Sequence, residues 1–280
     1  MENDHGITIN PQNFPKIAIN FDTRIAPGLH TSINLLQTVV KILELRGYGK
    51  EELILVTFDL SDQLRNKIRN SLPGYSIITS ASERYFHPDW FHESPIPASL
   101  GDRSKFLIQY PQSPDIRVEL ERKSMLPACL FMGRTYWINL ATAKDDYFFG
   151  IDGATSSVTL NASSNTQRFK KDKTMGPAAA IEMLAIPELW EKHLFSLIDL
   201  SKLQIAGSPE FNSEFIRNES ALLLSKNPVA LDYQAMKYIR QQRILSGLKD
   251  KNPKYYKIFS FAGELGLGHP EQSGLVKLNK

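Results

Sequence analysis

The sequence predicts an α/β fold, a mainly parallel or mixed sheet with helices on both faces. Three observations carry this. Short apolar runs alternate with stretches whose apolar residues recur at helical spacing. One run, Leu53-Ile-Leu-Val56, is apolar without a break, as in strands covered on both faces. Strands separated by helices also need crossovers, which lay neighbouring strands parallel.

The elements follow in order. Lys16-Ile-Ala-Ile-Asn-Phe21 is a short strand ending at Asp22. Thr31 or Ser32 opens a helix with Ile33, Leu36, Val39, Val40 and Leu43 on one stripe, and Gly47 stops it. After the Leu53–Val56 strand, Ser61 or Asp62 opens a helix bearing Leu64, Ile68 and Leu72, closed by Pro73-Gly74. Tyr75 to Thr79 reads as a third strand. From Glu83 to Asp115 the regularity fails: His87-Pro-Asp-Trp-Phe-His92 and Ser94-Pro-Ile-Pro97 predict an irregular aromatic and proline-rich excursion. Strand patterns return at Ile116 to Leu120 and Thr135 to Leu140. Helical pattern runs from Pro177 to Leu184, and Pro187 opens another short helix. Leu194 to Ile198 and Ala221 to Leu224 are strand candidates. A long helix begins near Pro228, and a last one runs from Pro253 to about Glu264. With no internal repeat or low-complexity linker, residues 1–280 read as one α/β domain carrying the excursion at 83–115.

Composition narrows the function classes. A chain of 280 residues buries enough surface to fold without a staple. The net charge of +3 is too small for an obligate nucleic-acid binder, so no nucleic-acid partner is expected. No apolar stretch approaches the roughly 18 residues of a membrane span. Met1 leads into Glu2, Asn3, Asp4 and His5, unlike the basic start of a signal peptide. A cytoplasmic location is expected if the numbering begins at the natural start. Cys129 is the single cysteine, so this chain holds no intrinsic iron–sulfur cluster or disulfide, and its apolar surroundings predict an inert thiol.

The densest polar constellation follows the Tyr136–Leu140 strand: Lys144-Asp-Asp146, Asp152-Gly-Ala-Thr155, Asn161, Asn165 and Arg168. Ligands of open α/β sheets bind beyond the carboxyl ends of strands, where loops and helix starts converge. Asp145 and Asp146 suit a divalent cation as hard oxygen ligands, or an acid–base pair. Asp152-Gly153 suits a turn presenting N–H groups to an anion, the alternative being a solvated turn. Asp22 and Asp59, just past strand ends, read as caps or turn formers. The six histidines show no ligand-like spacing. Gly263-Glu-Leu-Gly-Leu-Gly268 reads as a helix C-cap and not a dinucleotide fingerprint. Arg168-Phe-Lys-Lys-Asp-Lys173 reads as an exposed basic loop, with an anion-gripping lid as the alternative.

Several of these segments resemble the prokaryotic family known as the domain of unknown function 362. The likeness lies in Ile138-Asn-Leu140 with Lys144-Asp-Asp146, in Gly150 to Leu160, and in Leu197-Ile-Asp199 with Gly207. It is closest in Asn227-Pro-Val-Ala-Leu-Asp232, similar to the family's D-P-V-A-L-D helix opening, and in Ala262 to Gly268, similar to its terminal glycine-rich turn. It covers most of the chain after about Tyr136, and before that only Thr31 to Val56. The resemblance implies an α/β domain, sometimes joined to ferredoxin-type segments, with a distant relation to the N-terminal part of nickel-dependent lactate racemases. This chain departs as a divergent member: it lacks cluster-binding cysteines, and Asp146 stands where the family commonly has histidine, which favours oxygen ligation.

The expected function is an enzyme acting on a small polar or anionic substrate, with metal-assisted acid–base chemistry, in a biosynthetic or redox-linked pathway. Asp145 and Asp146 would hold the cation or act as acid and base; Lys144 would stabilise negative charge. Arg168 would clamp an anionic group, and Asp152, Thr155, Asn161 and Asp232 would bind ligand. Asp232 has an alternative role as a helix cap. In the rival reading the chain is a non-catalytic module that binds a cofactor, metal or partner protein in a maturation pathway. Its contact surface would be Tyr85, Phe86, Trp90 and Phe91.

Overall fold

A computed structural model describes residues 8–268 and 276–279. The first third builds a parallel half-sheet: β1 (Lys16–Phe21), α1 (Ile33–Leu45), β2 (Leu53–Val56), α2 (Asp62–Ser71) and β3 (Ser76–Ile78). Ile17 sits opposite Leu53 and Ile54 opposite Ser76, all in parallel register. Ser61 caps α2 by accepting from the Leu64 N–H, and Gly47, at φ 97°, follows α1 in a conformation other residues rarely adopt.

The chain then leaves the sheet. β4 (Phe91–Glu93) pairs antiparallel with β5 (Lys123–Met125), and between them lie α3 (Leu100–Gln109) and α4 (Pro114–Arg122). The excursion is therefore more regular than its composition suggests. Ile116 to Leu120 is helix, not the expected strand. Pro114 opens it at the first turn, and Arg117 meets Glu121 and Glu119 meets Lys123 one turn on. The alternation that suggested a strand leaves Ile116 and Val118 about half exposed. The excursion's rings turn inward: Tyr85 is fully buried and its hydroxyl donates to the Ala162 carbonyl, while Trp90 meets Phe131 edge-on at 5.2 Å. Phe86 also packs against the core, so of the surface that the partner-binding reading expected only Phe91, half-buried beneath Lys123, lies outside it.

β6 (Thr135–Asp146) re-enters on the other side of β1, again parallel. The expected strand ended at Leu140; the observed one continues through Lys144, Asp145 and Asp146, which lie in the strand and not in a loop after it. The continuation has partners on both sides. β7 (Gly150–Asp152) folds back antiparallel against 144–146, and β8 (His193–Gln204) runs parallel along the rest. Between β7 and β8 come α5 (Ala154–Val158), α6 (Met175–Leu184) and α7 (Pro187–Glu191). β9 (Ile216–Arg217) and β10 (Ala221–Ser225) are antiparallel to β8. Then follow α8 (Pro228–Leu245), capped by Asn227, α9 (Lys257–Glu264) and β11 (Val276–Asn279). Pro253–Tyr255 forms a separate 3-10 turn before α9, so the last expected helix is split in two. Gly266 and Gly268, at φ 74° and 87°, turn the chain out of α9.

The sheet order is β11-β10-β8-β6-β1-β2-β3. Both faces are covered. Ile17, Ile19, Leu53, Leu55, Ile138 and Leu140 pack with α1 and α2, whereas Ala18, Ile54, Val56, Trp137 and Ala141 pack with the later helices. Alternate residues of each strand thus serve opposite cores, which is why Leu53–Val56 is apolar throughout. The order reverses at β1, with β2 and β3 on one side and β6 and β8 on the other. That makes β1/β6 the topological switch point, where open α/β sheets bind ligands. Two buried asparagines mark it in the core: Asn20 on β1 donates to Asn139 on β6 at 3.0 Å, and Asn139 donates to the Ala154 carbonyl at 3.0 Å. This pair pins the start of α5 beneath the sheet. Among the described residues no helix is long and apolar enough to cross a membrane.

Candidate functional site

A cleft of about 950 Å³ opens beyond the carboxyl ends of β1, β2 and β6. At its centre are charges delivered by different elements. Asp22 is the first residue after β1, and Arg24 follows in the loop toward α1. Lys144 comes from β6, Asp152 from the end of β7, Ser156 from α5, and Asn161 and Lys170 from the segment after α5.

Arg24 is forked between two carboxylates. Its Nε and Nη2 donate to Asp22 at 3.1 and 2.9 Å, and Nη1 and Nη2 donate to Asp152 at 3.1 and 3.2 Å. Planar guanidinium geometry suits this double engagement. Asp22 also accepts from the Thr142 hydroxyl at 2.7 Å. Asp152 is the hub: it accepts from Ser156 Oγ at 2.5 Å and Asn161 Nδ2 at 2.7 Å, and Lys144 Nζ lies 3.7 Å away. Burial would raise its pKa, but Arg24 and Lys144 overcome that and hold the carboxyl well below the usual range. Burial likewise opposes the charge on Arg24, and Asp152 and Asp22 outweigh it.

Lys170 is placed differently. Its Nζ donates to Asn161 Oδ1 at 2.9 Å, and among the described residues no carboxylate lies within ion-pair distance. Asn161 is fixed in orientation because its Nδ2 serves Asp152. Burial, then the neighbouring Arg24, push the Lys170 ammonium down to about 8. Asp146 faces the same cleft; its Oδ1 accepts from the N–H groups of Phe148 and Phe149 at 2.7 and 2.8 Å, and Ser208 Oγ reaches Oδ2 at 3.3 Å. Burial raises its pKa despite those backbone bonds.

Of the eight residues given a catalytic or ligand-binding role from the sequence, Lys144, Asp146, Asp152 and Asn161 meet in this cleft, and Asn165 from the same polar constellation lines it too. Four others do not. Asp145 points away from Asp146, as adjacent strand residues must, and binds Lys251 Nζ with Arg243 Nη1 3.6 Å away. The two carboxylates diverge, so the expected cation site at Asp145 and Asp146 is not formed by this pair. Among the described residues no group of three or more His, Cys, Asp or Glu could hold a metal ion. Replacing Asp145 with Asn should therefore lower stability by about 2 kcal/mol, by weakening hydrogen bonds to buried cations. Thermal unfolding should show a midpoint several degrees lower, and an unchanged midpoint with lost ligand binding would contradict this structural role.

Arg168 is not an anion clamp. Its Nη1 donates to the carbonyls of Ile96 and Glu121 at 2.7 and 2.5 Å, and its Nη2 to that of Arg122 at 2.7 Å, tying both roots of the α3–α4 hairpin to the body. Asp232 and Thr155 lie behind the cleft wall. The Ala154 and Thr155 N–H groups donate to Asp232 at 2.5 and 2.8 Å, so Asp232 caps α5 from α8, whose own cap is Asn227. Burial pushes the Asp232 carboxyl up to about 7.

The sequence alone does not single out Arg24; it marks Lys170 as part of the basic run, with an anion-gripping lid as the alternative, and reads Asp22 as a cap or turn former. Asp22-Thr-Arg24 at a strand end is a usable signal for a local carboxylate–guanidinium pair. Lys170 had none, because Lys171 and Lys173 share its run. The histidines are engaged elsewhere: His92 with Glu182 at 2.7 Å, and His193, stacked on Trp137, with Ser196 at 2.9 Å. Burial keeps His193 neutral, down to about 3, and pushes the Cys129 thiol up to about 12. His5 and His269 lie outside the described residues.

No family model matches the chain, and no curated protein matches it. Among solved structures it is similar to the crystal structure of a structural genomics target from Thermotoga maritima, at 12% identity and a TM-score of 0.44. That similarity covers 85% of this chain and 56% of the other, so the chain spans little more than half the length of this neighbour.

Proposed function

We propose that the protein is an enzyme acting on a small anionic substrate bound at the β1/β6 switch point. The observation that carries this reading is the pairing of the enclosed cations: Arg24 and Lys144 lie at ion-pair distance from Asp152, whereas among the described residues Lys170 has no carboxylate that close. Arg24 gives four hydrogen bonds to its two carboxylates, and Lys144 is tied to the Pro209 carbonyl at 2.7 Å. Lys170 is left as the cation with spare hydrogen-bonding capacity toward an incoming carboxylate or phosphate. Asp146 and Lys170, whose pKa values shift toward neutrality from opposite sides, suit acid–base work in one cleft. The segments that carry the resemblance to the domain of unknown function 362, around Lys144 and from Gly150 to Leu160, supply one wall of the cleft. This supports placing the chemistry here within that proposed kinship.

The test is anion affinity against pH. Below about 8 Lys170 is protonated and attracts the anion; above it the charge is lost. Oxalate affinity, followed by calorimetry, should fall by up to about tenfold per pH unit above that point. Lys170→Gln should bind weakly and without this dependence. An affinity flat with pH in the parent protein would remove Lys170 from the binding role. A stable protein partner with no anion bound would instead favour the partner-binding module, for which the exposed Leu100, Leu107 and Ile108 of α3 are the surface.

A further inference from the structure

We infer that Lys170 is a nucleophilic amine that forms an imine with the carbonyl carbon of a 2-oxo acid held in the cleft. This rests on the reading that the cleft binds small anions and adds the electrophile and the covalent step.

The geometry separates Lys170 from the other cations. Lys144 gives its ammonium to a backbone carbonyl and lies 3.7 Å from Asp152. The Lys170 Nζ has one neutral acceptor, Asn161 Oδ1, whose orientation Asp152 dictates through Nδ2. A neutral amine that donates one N–H there keeps its lone pair free toward the cleft. Burial disfavours the ammonium at Lys170, and Arg24 and then Lys144 nearby add to this. A lysine desolvated beside other cations is the usual environment of an amine nucleophile. The same cations attract the carboxylate of a 2-oxo acid, bringing its adjacent carbonyl carbon toward the amine.

The step balances without an external oxidant or reductant. The Nζ lone pair forms the N–C bond, and the carbonyl π pair moves onto oxygen. A proton passes from nitrogen to that oxygen, giving a carbinolamine. Protonation of its hydroxyl lets the C–O bond break and water leave, while the nitrogen pair forms C=N. Asp146 lines the same cleft and is suited to give that proton from Oδ2, since Oδ1 is occupied by two backbone N–H groups.

The experiment uses the whole chain with pyruvate as the probe and cyanoborohydride as the trap, read by intact mass and peptide mapping. The expected result is one carboxyethyl group on Lys170, absent from Lys171 and Lys173, and suppressed by excess oxalate, which offers no ketone. Lys170→Arg, which keeps the charge, should lose the label while still binding oxalate. Oxalate binding with no label on Lys170 overturns the imine and leaves the anion-binding reading standing. Label on Lys170 that oxalate does not suppress supports the reactive amine and counts against the anion site. Labelling spread evenly over surface lysines also overturns the proposal.

Discussion

Replacing Asp152 with Asn should cost about 3–5 kcal/mol of stability, because it leaves buried cations without their shared counter-charge. In the parent protein Asp152 receives the Arg24 fork, the Ser156 hydroxyl and the Asn161 amide, with Lys144 at ion-pair distance. Asn would remove the charge and turn an N–H pair toward donors. Arg24 would then rely on Asp22 alone. For a chain of this length each kcal/mol moves the unfolding midpoint by about 2–4 °C, so a drop on the order of 10 °C is expected. The pH dependence has a definite sign. The folded pKa of Asp152 lies below its unfolded value, so its contribution is present above about 4 and is lost as the pH falls through the acid range. The gap between parent and variant should therefore narrow on acidification. Urea unfolding at neutral and acid pH measures both effects. A variant that unfolds with the parent would return Asp152 to the solvated turn former that its sequence neighbourhood also allows.

The legibility of each residue from the sequence depended on how far away its partners lie. Leu53–Val56 was readable because both cores press on it, and α1 because its stripe faces one of them. The N-terminus of α8 was readable because Asn227 and Pro228 act within a single turn. The second half of β6 was not. Lys144 and Asp145 look like loop residues until Asp152, Lys251 and Arg243 arrive, and the last two lie about a hundred positions on. The polar segment from 144 to 161 stands out in the sequence, and Lys144, Asp146, Asp152 and Asn161 from it line one cleft. Its division into cleft and wall depends on strand alternation at Asp145 and Asp146, which the sequence reading put in a loop. The basic run was the least legible part. Arg168 holds carbonyls, Lys170 enters the cleft and Lys173 reaches the Tyr147 hydroxyl, yet all three share one charge pattern.

Gly153→Ala should be nearly as damaging as the loss of Asp152, for a different reason. A Cβ at Gly153 would stand 2.2 Å from Asp232 Oδ1 and 3.0 Å from its Cγ, closer than atoms can approach. The Asp232 side chain is fully buried and bonded to the first N–H groups of α5, so it has no vacant place to go. Overpacking costs about 1–3 kcal/mol, and weakening bonds to a carboxylate adds about 1.5–3 kcal/mol, giving roughly 2.5–6 kcal/mol together. Ser156 sits on the same short helix and touches Asp152, so the displacement should also weaken oxalate binding. A double-mutant cycle with Asp232→Ala isolates the cause. Both single changes disturb the same pair of bonds, and the alanine at 232 makes room for the new methyl group. The double variant should be about 1–2 kcal/mol more stable than the sum of the single losses predicts. Asp232 adds a pH signature. Its folded value of about 7 lies above the unfolded one, so its stabilising contribution is complete below about 4 and is lost as the pH rises through 7. That slope should vanish in Asp232→Ala. Strict additivity in the cycle would mean that the methyl group is accommodated elsewhere and that α5 is not held by the carboxylate from α8.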